Sequence, residues 1–311
     1  MNILVIGSFM MDLVVRTPRA PQKGETIIGT HFSRYPGGKG ANQAVSAARL
    51  GGDVTMVGML GNDSFGDDIL EELQINQINT KFILRDNTSS TGIGLVTVEE
   101  DGNNRIVIVP SANLNYRPTD LVNVESLIEK ADILLVQLEM DISVTEEAIS
   151  CAKQYGVPVI LNPAPGRKLE DHLFEKVTYL TPNETEAELL TGIKINSIED
   201  VKEAGNVLLS KGVENVVITM ADKGALIVNQ LGSYHVPGYP VDIKDTVAAG
   251  DAFNGGLAIG VASGKSLKDA IHFANAVGAL TVTKEGAIPS VPYLNEVQEF
   301  IKKFEASNKV N

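Results

Sequence analysis

The sequence contains one cysteine, Cys151, and no tryptophan, and aromatic residues fill only 5% of its 311 positions. A single cysteine excludes an intramolecular disulfide and a zinc site built from several cysteines. No apolar run approaches the roughly 18 residues that a membrane-spanning helix needs, and the first residues lack the features of a secretory signal. We therefore expect a protein of the reducing cytoplasm that has no membrane partner.

Basic residues are also scarce. Lysine and arginine number 26 against 39 aspartates and glutamates, which gives a formal charge of −13. Binding to a nucleic-acid backbone depends on cationic side chains that release counterions, so this balance argues against a nucleic-acid partner. A chain of this length with 43% hydrophobic residues can build a large core without disulfides. Small molecules are the expected ligands.

Short apolar runs alternate along the chain with amphipathic stretches of ten or more residues, a pattern typical of βαβ units. Strands are predicted at 3–6, 54–57, 133–138, 157–161, 177–180, 216–219 and 225–228. Helices are predicted at 41–50, 67–74, 144–155, 198–211, 251–263 and 267–281. The alternation predicts an α/β fold around a parallel sheet.

Two regions, 12–35 and 91–109, break this alternation because no helix separates their apolar runs. Ile93, Leu95 and the run 106–109 have the pattern of antiparallel strands. Strands that leave the parallel sheet and pair with each other would form a small β flap over one edge.

The segment 36–42, PGGKGAN, is a first candidate site because it leads into the predicted helix 41–50. Exposed backbone N–H groups at such a helix start attract anions or sugar hydroxyls, although a simple tight turn is the alternative. The segment is not a Walker A loop, since that pattern requires glycine where Ser33 stands. The first strand is not followed by GxGxxG, which argues against a dinucleotide-dependent oxidoreductase.

The segment 245–251, DTVAAGD, is a second candidate. A helix that starts at Gly250 and Asp251 would offer N–H donors to a transferring phosphoryl group, with a carboxylate beside them. The alternative is an aspartate that only caps the helix. Ala248 and Ala249 favour the ligand site, because small side chains allow a ligand to approach the backbone.

Acidic residues supply two weaker candidates. Asn183 and Glu186 in the segment 181–188, TPNETEAE, share one face of a helix and suit magnesium near phosphates, but acidic first turns are often only stabilising. Glu139 follows the strand 133–138, where ligands bind in open α/β sheets, and its alternative is a surface position. Ser8 has no neighbouring base in the sequence, so a nucleophilic role has no support.

Taken together, four motifs resemble those of the ribokinase (PfkB) family of carbohydrate kinases. They are GGKGAN at 37–42, NPAPGR at 162–167, TPNETEAE at 181–188 and DTVAAGDAFNGG at 245–256. The run 287–292 is typical of the ribokinase branch of this family. The resemblance implies a single catalytic domain over 1–311. It further implies a three-layer α/β/α sandwich, a small β-sheet lid from about 12–36 and 91–110 that forms a homodimer interface, and ATP-dependent phosphorylation of a primary sugar hydroxyl.

The resemblance also implies roles for individual residues. Asp251 would take the proton from the attacking hydroxyl, and the backbone of Ala248, Ala249 and Gly250 would form an anion hole. The implied sugar contacts are Asp12, Gly38, Lys39, Asn42 and Glu139. Asn183 and Glu186 would position Mg²⁺ and the triphosphate through water, and Thr219, Gly224 and Asn275 would line the nucleotide. The implied site for an activating potassium ion comprises Asp245, Val247, Thr281, Lys284, Gly286 and Ser290.

Met10 departs from the family pattern, because ribokinases usually carry asparagine at this place in the Gly-Ser-x-x-x-Asp stretch. A thioether cannot replace the donors and acceptor of an amide, so a sugar 2-hydroxyl facing Met10 would be poorly paired. The sequence thus resembles deoxyribokinases, and 2-deoxy-D-ribose is the expected substrate, with an ordinary D-ribose kinase or another PfkB kinase such as a fructokinase as the alternative. Ala221 stands where the family often has glycine.

Overall fold

The computed structural model describes residues 1–101 and 103–308 of the chain, which form alternating strands and helices. The strands are β1 (Asn2–Ile6), β2 (Met10–Thr17), β3 (His31–Gly37), β4 (Asp53–Gly61), β5 (Asn79–Asp86), β6 (Gly92–Glu99), β7 (Asn104–Val109), β8 (Ile133–Val136), β9 (Val159–Leu161), β10 (Tyr179–Leu180), β11 (Asn215–Thr219), β12 (Ala225–Asn229) and β13 (Gly232–Val236). The helices are α1 (Lys39–Arg49), α2 (Ser64–Ile75), α3 (Glu125–Lys130), α4 (Ile142–Tyr155), α5 (Asp171–Phe174), α6 (Glu184–Thr191), α7 (Ile198–Ser210), α8 (Ala249–Ala262), α9 (Leu267–Thr281) and α10 (Leu294–Asn308).

Nine strands form the central sheet in the order β13-β12-β11-β10-β9-β8-β1-β4-β5. The seven strands from β11 to β5 pair in parallel, which confirms the predicted α/β fold. The strand predicted at 225–228 is β12, and it is not parallel to these seven strands. It pairs antiparallel with β11 on one side and with the edge strand β13 on the other. Only residues 220–224 separate β11 from β12, too few for the crossover that parallel strands need.

Helices cover both faces of this sheet. Ile3 and Val5 of β1 pack into a hydrophobic cluster with α1, α2, α8, α9 and α10, whereas Leu4 and Ile6 pack into a second cluster with helices α3 to α7. Since successive side chains of a strand point to opposite faces, a strand buried on both sides must be apolar at consecutive positions, as residues 3–6 of β1 are. The result is a three-layer α/β/α sandwich.

A separate four-stranded sheet, here called the lid, has the order β3-β2-β6-β7. The predicted antiparallel pair is β6 with β7, and β2 pairs with β3 antiparallel and with β6 in parallel. β2 begins at Met10, so residues 7–9 alone connect it to β1. The lid is therefore joined directly to the middle of the central sheet.

Helix α8 approaches its two neighbours so closely that glycine is needed at the contacts. A Cβ on Gly255 would lie 2.4 Å from the Ser46 Cβ of α1, and one on Gly260 would lie 2.7 Å from the Ala270 Cβ of α9. Helix α8 is thus held between α1 and α9 by backbone packing. Among the described residues no helix combines the length and apolar character that spanning a bilayer requires.

Candidate active site

Polar side chains gather where the parallel strands end. Ser8 follows β1, Glu139 follows β8, Asn162 follows β9 and Thr181 follows β10, and all four are buried. The carboxyl ends of parallel strands share one edge of a sheet, which is where open α/β folds bind ligands. The first turns of α1 and α8 meet at this edge, because Asn42 of α1 donates a hydrogen bond to Asp251 of α8 at 2.9 Å.

At the start of α1, the backbone amides are already hydrogen-bonded to other groups of the protein. The Lys39 amide donates to Glu139 Oε2 at 3.0 Å, the Gly40 amide lies 3.4 Å from Ser8 Oγ, and the Ala41 amide donates to the Ser8 carbonyl at 3.1 Å. The expectation of exposed N–H groups here was wrong, since strand-end groups occupy these donors. The amides of Lys39, Gly40 and Ala41 are therefore not available to a ligand.

The start of α8 is arranged differently. Ala248, the residue before the helix, has the left-handed backbone (φ 61°, ψ 3°), and no side chain caps the helix. Asp251 stands in the first turn instead of at the capping position, so the capping alternative was wrong. A Cβ built on Gly250 would meet no atom within 4 Å. The Ala249 amide donates to the Thr246 carbonyl at 3.4 Å, whereas the Gly250 and Asp251 amides have no partner among the described residues and border this open space. That is the geometry of an anion-binding helix start.

Two side-chain amides hold the carboxylate of Asp251. Asn42 Nδ2 donates to its Oδ2 at 2.9 Å, and Gln43 Nε2 donates to its Oδ1 at 3.1 Å. The side chain is only 6% exposed. Each carboxylate oxygen keeps a further lone pair, so the group can accept a proton from an alcohol that approaches through the open side.

Four carboxyl groups surround the half-buried ammonium of Lys39. Burial by itself would lower the pKa of Lys39, but Asp251, Glu139, Glu186 and Asp12 outweigh that effect and raise it. Burial, reinforced by Glu139 and Asp251 and opposed by Lys39, raises the pKa of Asp12 to about 7. The surplus of negative charge suits a ligand that donates many hydrogen bonds, such as a sugar.

Glu139 and Asn42 complete the polar surroundings of Asp12. Burial raises the pKa of Glu139 against the opposing effects of Lys39 and of the Ser8 hydroxyl, which donates to Glu139 Oε2 at 2.5 Å. Asn42 Oδ1 is buried and has no hydrogen-bond partner among the described residues. A Cβ built on Gly37 would lie 3.6 Å from this oxygen and 3.2 Å from Asp12 Oδ2, so the two oxygens border the same space. A buried unpaired acceptor is costly, so Asn42 Oδ1 is available for a ligand hydroxyl.

Asn183 and Glu186 form the start of α6. The Asn183 amide donates to Glu186 Oε2 at 2.9 Å and the Glu186 amide donates to Asn183 Oδ1 at 2.8 Å, which makes a reciprocal capping box. Burial raises the pKa of Glu186. Thr219, at the end of β11, bridges to Asn183. The pair thus stabilises the helix and still leaves Glu186 Oε1 and the Asn183 side-chain amide free for a ligand.

A cavity of about 210 Å³ lies at this edge of the sheet, and Asp12, Asn42 and Glu139 are not part of its lining. Its lining includes Lys39, Asn183, Glu186, Thr219 and the segment 248–251, all singled out from the sequence. Two of the predicted nucleotide contacts lie outside this lining. Gly224 has φ 93° and packs against the Val236 carbonyl, and Asn275 Nδ2 donates to the same carbonyl at 3.1 Å.

The loop before α8 contacts the loop that follows α9. Asp245 accepts from the Val247 amide at 3.0 Å through Oδ1 and from the Gly286 amide at 2.9 Å through Oδ2. Lys284 Nζ donates to Glu296 at 2.8 Å, so its ammonium is paired with a carboxylate of α10. Thr281 and Ser290 are fully buried, and their hydroxyls donate to carbonyls of their own turns.

The sequence interpretation missed several buried residues of the site: Gln43, Thr181, Asn254 and Ser8 as a partner of Glu139. Thr181 donates to Asn254 Oδ1 at 2.7 Å, and Asn254 donates to the Gly250 carbonyl at 2.8 Å. Their only signal was proximity to a motif, since Gln43 follows GGKGAN and Asn254 lies inside DTVAAGDAFNGG.

Comparisons with known proteins identify the family of this chain. The model of the pfkB family carbohydrate kinases matches residues 1–294. A ribokinase of Staphylococcus aureus is 37% identical over 96% of this chain and 99% of its own length, and a deoxyribokinase of Salmonella typhimurium is 35% identical over 97% and 99%. A solved ribokinase of Arabidopsis thaliana, complexed with ribose and ATP, superposes with a TM-score of 0.93 at 32% identity, covering 97% of this chain and 98% of its own. The chain therefore belongs to the pfkB family of carbohydrate kinases and is a phosphotransferase that acts on an alcohol.

Proposed function

We propose that this ribokinase-type pentose kinase transfers the terminal phosphoryl group of ATP to the 5-hydroxyl of 2-deoxy-D-ribose and, less efficiently, of D-ribose. The observation that carries the sugar assignment is the environment of Met10. Its side chain is 3% exposed, yet it belongs to neither hydrophobic cluster. Met10 and Asp12 are two residues apart in β2, so their side chains point to the same face of the strand. The thioether therefore lies on the side of the lid that carries Asp12, the proposed sugar-binding carboxylate.

The chemical step rests on Asp251. Its carboxylate accepts the proton of the 5-hydroxyl, while the amides of Gly250 and its neighbours Ala248 and Ala249 receive the charge that develops on the phosphoryl oxygens. Phosphoryl transfer requires mainly in-line positioning and charge stabilisation. Asn42 and Gln43 supply the positioning, because they fix both oxygens of Asp251.

The sugar is held between the lid and the start of α1. Asp12 and Glu139 accept hydrogen bonds from its hydroxyls, Lys39 and Asn42 donate, and Asn42 Oδ1 gains the partner that it lacks in the free protein. Gly38 contributes to sugar binding through its backbone. Only glycine fits at this position, because a Cβ would lie 2.7 Å from the Met10 amide.

The nucleotide lies on the opposite side of Asp251. Asn183, Glu186 and Thr219 face the triphosphate across the cavity, and Gly224 and Asn275 shape the nucleotide loop. Glu186 Oε1 and water are the oxygen donors that would hold Mg²⁺, which neutralises phosphate charge when bound.

The residues around Asp245 fit a potassium ion. The ammonium of Lys284, which would repel a cation, pairs with Glu296. The carboxylate of Asp245 and oxygens of Val247, Thr281, Lys284, Gly286 and Ser290 would hold the ion. Turnover in potassium and in tetramethylammonium chloride at equal ionic strength measures this dependence.

We further propose a cytoplasmic homodimer joined through the lid. Phe32, Leu95, Ile106 and Val107 expose between 45% and 60% of their surfaces on the lid. Apolar side chains on exposed strands favour pairing with another chain. Light scattering at micromolar concentration distinguishes a dimer from a monomer, and Val107→Lys should favour the monomer.

The substrate assignment is tested by Met10→Asn. The parent should prefer 2-deoxyribose in kcat/KM, and the restored amide should shift the ratio toward ribose by about 5- to 150-fold, which corresponds to roughly 1–3 kcal/mol for one buried hydroxyl. Met11→Leu is the matched control, because Met11 points to the opposite face and packs in the core. An unchanged ratio in Met10→Asn would show that Met10 does not set the sugar preference. A parent that prefers ribose would indicate an ordinary ribokinase, and one that prefers fructose would indicate a different PfkB kinase.

A further inference from the structure

Behind Asp251 lies a chain of buried amides that no proposed ligand contact uses. Gln137 Nε2 donates to Gln43 Oε1 at 2.7 Å, and Gln43 Nε2 donates both to Asp251 Oδ1 and to Asn162 Oδ1 at 3.1 Å. Asn162 Nδ2 donates in turn to the Thr181 carbonyl at 3.3 Å. Gln43 is fully buried, Gln137 is 2% exposed, and neither lines the cavity.

The direction of these hydrogen bonds is fixed at one end. The Thr181 carbonyl can only accept, so Asn162 must turn its NH₂ group toward it and its oxygen toward Gln43. Gln43 must then present its own NH₂ group to both Asn162 and Asp251, and its oxygen requires a donor on the far side. Gln137 is that donor. The reverse orientation of Gln43 would place two acceptor oxygens against its carbonyl.

From this geometry we infer that Gln43 is a positioning residue for Asp251 and that Gln137 acts through Gln43 by holding its amide in the donating orientation. The inference rests on the proposed role of Asp251 as the base. Without Gln43, Asp251 Oδ1 loses the only side-chain donor that it has in the described part of the chain, and the carboxylate is free to rotate about its hydrogen bond to Asn42. Proton acceptance then becomes less well aligned, whereas the sugar and nucleotide contacts stay in place.

The test is a double-mutant cycle with Gln43→Met and Gln137→Met, read by single-turnover phosphoryl transfer and by the KM values for sugar and ATP. Both substitutions keep the side-chain length and remove the amide. We expect Gln43→Met to slow the transfer at least tenfold with both KM values within about twofold of the parent. Gln137→Met should slow it less, and the double variant should be no slower than Gln43→Met, because the two residues act in series.

Ser46→Ala is the matched control. Ser46 lies one turn after Gln43 on α1 and donates to the Ala252 carbonyl of α8 at 3.0 Å, so this variant removes one buried hydrogen bond between the same helices without touching Asp251. It should lower the melting temperature and leave the transfer rate unchanged. An equal slowing by Ser46→Ala, an unchanged rate in folded Gln43→Met, or additive losses in the cycle would each overturn the inference.

Two further outcomes separate this inference from the assignment of the base. If Asp251→Asn retains turnover, Asp251 is not the base and the chain of amides has no catalytic target. If Asp251→Asn is inactive but the glutamine variants are unaffected, the base assignment holds and the inference fails. Should Gln43→Met not fold, the transfer rate of Gln137→Met decides alone: a loss supports the inference and an unchanged rate overturns it.

Discussion

Two glycine-bearing helix starts face each other across the active site, and they differ in what fills the space around them. At the start of α1, a Cβ on Gly40 would lie 2.5 Å from the Ser8 amide and 2.6 Å from the Gly7 carbonyl carbon. At the start of α8, a Cβ on Gly250 would meet nothing within 4 Å. The first glycine allows the protein to pack on itself, and the second leaves room for a ligand. A glycine-rich sequence alone does not distinguish the two uses.

The strongest test of the difference is Asp251→Asn at the start of α8. It should lower kcat by about 10²–10⁴-fold, the usual contribution of a general base, while binding of sugar and ATP persists. Asp269→Asn is the control, because Asp269 occupies the same third position of α9 and only takes part in capping with Ser266. Turnover of Asp251→Asn close to the parent rate would contradict the assignment.

Gly40→Ala should damage the fold instead of the chemistry. The added methyl meets backbone atoms that cannot rotate away, so we expect the free energy of unfolding to fall by about 3 kcal/mol or more, at the upper end of overpacking. Thermal and urea unfolding measure the loss. A variant as stable as the parent would show that the turn at α1 is looser than its contacts indicate.

Gly250→Ala should have the opposite signature. Alanine is a better helix former, so stability should be unchanged or higher by up to about 1 kcal/mol. Its methyl group occupies the open space beside the first-turn amides, and kcat/KM should fall at least tenfold. The melting temperature and the kinetics of the variant are measured in parallel. If Gly250→Ala loses stability as well as activity, the two helix starts do not differ in the way described.

The smallest expected effect is the pH dependence of stability that Asp12, on β2 of the lid, contributes. The folded protein raises the pKa of this carboxyl to about 7, mainly by burial, whereas the unfolded chain loses the proton near its ordinary value of 3.8. Between these values the folded state binds more protons, so this contribution to stability falls as the pH rises. Asp12→Asn should therefore stabilise the protein by at least about 1 kcal/mol at pH 8 and hardly at all at pH 4, as measured by thermal unfolding. An equal shift at both values would contradict it.

The sequence predicted the central α/β fold because its signal is local. The helices predicted at 251–263 and 267–281 lie close to the observed α8 and α9, since their apolar positions recur with the helix period. The antiparallel edge at β12 and the strand β5 were not predicted, because strand direction and pairing depend on distant parts of the chain.

The candidate site was predictable where motifs carry it. Asp251, Lys39 and Glu186 come from segments that the sequence singled out, and the structure brings them to one cavity. Asn162 opens the motif at 162–167 and Gln43 follows the one at 37–42, but their contacts with each other and with Gln137 could not be predicted, because they join residues 94 to 208 positions apart. Ala221, which stands where the family often has glycine, takes a positive φ of 50°, so the unusual residue marks a backbone constraint that is visible only in three dimensions.

The clamping of α8 between α1 and α9 has a mechanical consequence. A helix whose backbone touches both neighbours through Gly255 and Gly260 cannot slide or tilt without steric collision. The carboxylate of Asp251 at its start is therefore held in place together with the helix. Under the proposed assignment of the sugar to the lid, the movement that aligns the reactants has to come from the lid and from the sugar, and the rigid part of the site is the part that carries Asp251.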